Sequence, residues 1–213
     1  MTEEAKVAVI TGASQGIGAG LVEAFLRRGY RVAATSRSIA PSSNPNLLTV
    51  RGDIGEPSTG RRVIEEAVSR FGRIDTLINN AGVFVAKPFT GYTGEDYARA
   101  VSTNLAGFFF ITQEAVKVME ANGRGHIVNI TTSLVDHASS SVPSVLASLT
   151  KGGIQSATKS LAIEYAKRGI RVNAVSPGVI KTPMHPEATH SWPASSAWAD
   201  GRGFRDRGCG PLS

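Results

Sequence analysis

VAVITGASQGIG, residues 7–18, runs from a short apolar segment into a glycine-rich turn and then into a helical pattern. Val7, Val9 and Ile10 suit a buried parallel strand, because a strand covered by helices on both faces reads as a nearly continuous apolar run. Thr11, Gly12, Ser14, Gln15, Gly16, Ile17 and Gly18 then form the break and the helix entrance. Glycine lets the chain turn tightly and lets a phosphate approach bare main chain, where the amides of a helix N-terminus attract its negative charge. The spacing Gly12, Gly16, Gly18 differs from the G-x-G-x-x-G dinucleotide fingerprint, and glycine turns also occur in ordinary loops. The flanks decide between the two readings. A strand precedes the turn, and Leu21, Val22, Phe25 and Leu26 give the following helix an apolar face, which together read as a dinucleotide-binding unit.

The same alternation continues outward. A helix over residues 16–28 is ended by Gly29, and residues 31–35 read as a second strand leading to Ser36 and Arg37. At that exit a carboxylate would accept bonds from an adenosine ribose, whereas a neutral residue followed by arginine accommodates an added phosphate, so Ser36-Arg37 favours NADP over NAD. A polar loop at 38–46 leads to a third strand at 47–50 and to Asp53 and Ile54, where the Asp also reads as a turn or capping residue. Val63, Ile64, Ala67, Val68 and Phe71 recur at helical spacing. A fourth strand at 74–78 runs into Asn79, Asn80, Ala81 and Gly82, which suit either contact with a flat ligand or an amide tie between strand ends.

Thr93 is placed to cap the next helix with Tyr97 and Val101 inward. Asn104 falls in a helical stretch at 98–119, where asparagine is disfavoured unless it bonds locally or serves a site. A fifth strand at 126–131, a helix at 153–168 and a sixth strand at 171–174 follow. This order specifies one α/β domain, a doubly wound and mostly parallel sheet of Rossmann type. Ligands bind at the carboxyl ends of such strands, which gathers Gly12, Asn79, Thr132, Ser133 and Lys151 in one cleft.

On these residues the chain resembles the short-chain dehydrogenases/reductases. The T-G-x-x-x-G-x-G turn stands at residues 11–18, with Asp53, Asn79-Asn80-Ala81-Gly82, Asn104, Lys151, Ser176-Pro177-Gly178 and Thr182 following in order, so the resemblance spans about residues 5–187. It implies hydride transfer between a nicotinamide and a carbonyl or secondary alcohol. It further implies that Asp53 helps hold the adenine ring and that Asn104 bonds main chain and holds a water in the proton route; the family's lysine lowers the pKa of a tyrosine, and the Lys151 ammonium can also bind ribose hydroxyls. Pro177, Gly178, Val179 and Thr182 would hold the nicotinamide amide.

One position departs from the family pattern. The family places a tyrosine four residues before the lysine as proton donor, and this chain has Ala147 there. A serine or threonine polarises the carbonyl; spacing from Asn129 favours Thr132, whereas spacing to position 147 favours Ser133. His137, in the loop after the fifth strand, is a candidate replacement donor because imidazole titrates near neutral pH, and Ser148 is a weaker one. The alternative reading is therefore a catalytically impaired dinucleotide-binding protein with a structural or regulatory role.

Composition excludes several other classes. The 213-residue chain is of single-domain size and its lone cysteine, Cys209, forms no intrachain disulfide, which fits a reducing, cytoplasmic setting without a structural metal. MTEEAK at the start lacks a signal peptide's basic and apolar regions, and no run is long enough to cross a membrane. The net charge of +6 comes from scattered basic pairs with no aromatic interleaving, which argues for an anionic cofactor and against nucleic acid. Residues 1–190 read as the dinucleotide-binding domain. Residues 191–213, SWPASSAWADGRGFRDRGCGPLS, show no helical or strand period and read as a disordered tail where the family has a helix and a last strand. A truncated or frame-shifted end is expected, with a compromised homo-oligomer surface.

Overall fold

The computed structural model describes residues 5–178, 180 and 182. Val179 and the expected tail lie outside the described residues. Six parallel strands form one sheet: β1 (Val7–Thr11), β2 (Arg31–Ser36), β3 (Leu47–Arg51), β4 (Thr76–Asn79), β5 (Gly125–Ile130) and β6 (Ile170–Val175). Their order is β3-β2-β1-β4-β5-β6, so the winding reverses between β1 and β4. Connections from neighbouring strands leave in opposite directions there and open a crevice at the carboxyl ends. The register pairs Val9 with Ala33 on one side and Leu77 on the other.

The buried strands explain the apolar runs. On one face Val9, Ala33, Leu77 and Ile127 pack with Val63, Ile64 and Ala67 of α2 (Pro57–Phe71) and Ile111, Ala115 and Met119 of α4 (Gly107–Ala121). On the other, Ile10, Val32, Ala34 and Ile78 receive Val22 of α1 (Gly16–Arg27), with Leu21, Phe25 and Leu26 alongside. Each large side chain buried this way contributes roughly 1.5–3 kcal/mol. Helices α2 and α4 approach closely because Gly60 has no side chain; a Cβ there would stand 3.1 Å from the Ile111 backbone.

Local signals set the helix ends. Pro57 opens α2, and Gly72 at φ +80° closes it. Thr93 caps α3 (Gly94–Ala100) in a capping box: its hydroxyl accepts from the Asp96 amide at 3.1 Å, and the Asp96 carboxylate accepts from the Thr93 amide at 2.9 Å. Lys87 also donates to Asp96, at 2.6 Å, and that bond with the Thr93 amide holds the Asp96 pKa at about 2.

Three expectations are corrected. Tyr97 is 53% exposed rather than inward, since Ala100 supplies the buried contact of that short helix. The single helix expected at 98–119 is divided by a π-helical turn, Val101–Ala106, between α3 and α4. The helix expected at 153–168 begins earlier, as α5 (Val145–Tyr165), because its first turns bury Thr150 and Lys151 among Leu146 and Ala147 and so hide the apolar period. Among the described residues, no helix is long and apolar enough to cross a membrane.

Candidate functional site

At the reversal point the chain builds one cleft along the strand ends. Gly12, Ser14, Gln15, Gly16 and Ile17 line its floor, where φ is +65° at Gly12 and +56° at Gly16, a region that favours glycine. The N-cap of α1, Gln15, makes no side-chain cap bond, so the first helix amides face the cleft without a side-chain acceptor. Packing also demands glycine: a Cβ on Gly12 would stand 2.7 Å from the Ala81 Cα, and one on Gly18 would collide with the Gly12 carbonyl oxygen. Thr11 lies beneath the floor and fixes it, its hydroxyl accepting from the Asn80 amide at 3.1 Å and the Ala81 amide at 3.0 Å. From above, the Asn80 side-chain amide donates to the Thr11 and Gly12 carbonyls at 2.9 and 3.1 Å.

One end of the cleft carries an exposed arginine. Ser36, Arg37, Asp53 and Ile54 line it, and Arg37 is exposed with no ion-pair partner among the described residues. Ser36 pairs with Arg51 across the sheet, and the Arg51 guanidinium donates to the Arg37 carbonyl at 2.8 Å, fixing the main chain beneath that side chain. Ser38 donates to Ser14 at 3.3 Å and ties this end to the glycine turn. Asp53 is a turn residue, accepting from the Gly55 amide at 2.9 Å; the N-cap of α2 is Glu56 instead.

At the other end Thr132, Ser133, Ala147, Lys151, Pro177 and Gly178 converge. The Lys151 ammonium donates to the Ile130 carbonyl at 2.8 Å, and burial away from water lowers its pKa to about 8. Gly82 makes room for it, since a Cβ there would stand 3.0 Å from Lys151 Nζ and 3.3 Å from Asn104 Oδ1. Asn104 is buried behind the cleft wall: Oδ1 accepts from the Val83 amide at 2.8 Å, and Nδ2 donates to Thr150 Oγ1 at 3.0 Å. The π turn seats this asparagine; Gly107 N–H bonds back to the Ser102 carbonyl, widening the helix by one residue. Thr132 Oγ1 accepts from the Leu134 amide at 3.3 Å, leaving its own proton to donate. The Ser133 amide donates to the Pro177 carbonyl at 3.0 Å, and among the described residues its hydroxyl has no partner. Thr182 crosses the glycine turn, a Cβ on Gly16 being placed 3.2 Å from its Cβ.

A short chain dehydrogenase family model matches residues 6–192. The chain belongs to the short-chain dehydrogenase family. It is 36% identical to the oxidoreductase UcpA of Escherichia coli K12 over 84% of this chain and 71% of that protein. To the galactitol 2-dehydrogenase of Agrobacterium fabrum it is 36% identical over 82% and 70%. Among solved structures, it superposes on ElxO with NADP bound at a TM-score of 0.80, 31% identical, over 88% of this chain and 79% of that one. The 3-ketoacyl-(acyl-carrier-protein) reductase of Brucella melitensis, complexed with NADH, gives 0.80 at 31% identity over 85% and 78%. This short-chain dehydrogenase is thus an oxidoreductase of the nicotinamide-dependent class.

The residues fit such a cofactor: the bare glycine floor, the open amides of α1 and the unpaired Arg37 form a cradle that side chains would fill or repel. Two candidate donors do not join the cleft. His137 is exposed on its loop, and Ser148 donates its hydroxyl to the Leu134 carbonyl at 3.2 Å. None of the four tyrosines lines the cleft either. Asn79 lies below it and takes the structural role, donating to Asn129 and Thr112 at 2.9 Å each. Sequence reading missed Val83, Phe84, Leu134 and Val142, the apolar wall at the Ala147 end, because apolar residues in loops carry no period that marks a lining position.

Proposed function

We propose that this short-chain dehydrogenase is an NADP-dependent enzyme that interconverts a carbonyl and a secondary alcohol. The observation that carries the reading is the single cleft joining the glycine cradle, Arg37 and Lys151 along the carboxyl ends of β1, β2, β4 and β5. When bound, the nicotinamide supplies or takes up the hydride. Arg37 favours the phosphorylated adenosine through a charge-assisted contact, and the amides of Gly16 and Ile17 receive the diphosphate. Lys151 holds ribose hydroxyls, Pro177, Gly178, Val179 and Thr182 hold the nicotinamide amide, and Thr132 or Ser133 orients the substrate oxygen. The apolar wall of Val83, Phe84, Leu134 and Val142 suits the apolar body of a substrate. A reducing, cytoplasmic setting suits the lone cysteine. Turnover of a panel of small aldehydes and ketones with NADPH, beside a cofactor titration, tests the reading.

A second reading has its own observation. Ala147 is 5% exposed, lines the cleft and brings no hydroxyl to it. A cofactor-binding protein with little turnover, serving in assembly or regulation, would bind NADPH and reduce nothing on the panel.

A further inference from the structure

Lys151 lines the cleft together with Thr132, Ser133 and Ala147, and these surroundings are neutral. The titratable side chains lining the cleft, among the described residues, are Arg37, Asp53 and Lys151; the first two stand at the opposite end, with Ser36. The ammonium donates to the Ile130 carbonyl at 2.8 Å and stands against Gly82, where a Cβ would lie 3.0 Å from Nζ; Thr132, Ser133 and Ala147, all neutral, line the same cleft. No carboxylate or imidazole pairs with it among the described residues, and no charge contributes to its titration. His137 and Ser148 are elsewhere engaged or exposed, and no phenol enters the cleft.

We propose that Lys151 is itself the proton donor and acceptor for the substrate oxygen, taking the task that a tyrosine at position 147 would perform. This rests on the oxidoreductase reading above. One of its three N–H groups is committed to the Ile130 carbonyl, which leaves two for the cleft, where Ala147 removes the side chain that would otherwise stand one helical turn away. In reduction the carbonyl carbon gains the hydride and the C=O pair becomes an oxygen lone pair. The Nζ–H bond breaks as that oxygen takes the proton, directly or through one water. The neutral amine left behind recovers its proton from solvent, and oxidation runs the same transfers in reverse. A desolvated amine suits the task, because an acid works best when its pKa lies near the operating pH.

Two measurements on the full chain test this. Competitive acetylation followed by peptide mass spectrometry reports the protonation of Lys151 directly, and kcat for NADPH-driven reduction is followed from about pH 6 to about pH 10. The expected result is a labelling midpoint near pH 8 and a kcat that falls above the same midpoint. Measured at saturating NADPH, Lys151→Met and Lys151→Arg should each lose about 100-fold or more in kcat even where NADPH affinity also falls; a residue that only gripped ribose would weaken NADPH binding and leave kcat of the arginine form at saturation largely intact. A pH-independent kcat, or a Lys151→Met form keeping more than about a tenth of kcat, overturns the proposal and leaves the oxidoreductase reading standing. Absence of turnover with NADPH bound also overturns it. Failure of the unmodified chain to bind NADPH would sink the cofactor reading, and the proposal with it.

Discussion

The Asn79 side-chain amide donates to Asn129 Oδ1 at 2.9 Å across β4 and β5, within the buried layer below the cleft. Asn129 passes the contact on to Thr158 of α5 at 2.9 Å, and Asn79 also reaches Thr112 of α4 at 2.9 Å. A polar string therefore runs along one face of the sheet, tying α4 and α5 to β4 and β5, and fixes the strand ends that present Asn80 and the Ile130 carbonyl. Asn129→Ala removes one partner from each of Asn79 and Thr158, leaving one N–H of the buried Asn79 amide unpaired while Thr112 and the Ile154 carbonyl keep their bonds. A loss of about 1–3 kcal/mol is expected in urea denaturation, since an orphaned buried donor costs its full desolvation. Unchanged stability would show that the string carries no load.

Gly18→Ala tests the cradle. The added methyl would meet the Gly12 carbonyl and stand 2.6 Å from Asn80 Nδ2, so the turn must open. Isothermal titration should show NADPH binding weakened by tenfold or more, with about 1–3 kcal/mol lost from stability as for other overpacked sites. Gly29→Ala has no neighbour within 4 Å and bears strain only from its φ of +78°, so it should leave cofactor affinity alone.

Lys151 opposes folding at neutral pH. Its folded amine titrates at about 8 against an ordinary value of 10.5, so between those values the unfolded chain holds more protons and stability rises with pH. Below pH 8 the cost of the buried charge is present in full. Lys151→Met should therefore stabilise the fold at pH 7 by on the order of 3 kcal/mol and flatten the rise between pH 8 and 10.5, as read from denaturation midpoints across that range. A destabilised methionine form would mean that the Ile130 hydrogen bond outweighs desolvation.

Ala147→Tyr should place a phenol one turn before Lys151, facing the same cleft. Because Lys151 already supplies the proton, the phenol replaces no missing acid, so kcat for carbonyl reduction with NADPH should change by less than about tenfold while cofactor affinity changes little; a rise of about 100-fold or more would show that the unmodified cleft lacks a donor.

The sheet was legible because burial on both faces leaves no polar residue in Val7 to Ile10 or in Val32 to Ala34 to disguise it. The cleft residues were legible from motif spacing: the glycine turn, the Ser36-Arg37 exit, Asn80 to Gly82, Thr132, Ser133 and Lys151 line it together. Less was visible where local signals compete. The π turn has no sequence signature beyond the ill-suited Asn104, whose partners Val83 and Thr150 are far apart in the chain. Likewise the start of α5 was hidden because Thr150 and Lys151 are buried polar groups held by main-chain carbonyls, which a count of apolar residues reads as solvent-facing.

Parallel titrations of NADPH and NADH, repeated on Arg37→Ala, test the central claim most directly. The account predicts saturable binding of both with NADPH favoured by about 1.5–3 kcal/mol, the worth of one charge-assisted contact, and most of that difference erased in the alanine form. Equal affinities, tighter NADH binding, or an unchanged preference without Arg37 would contradict it.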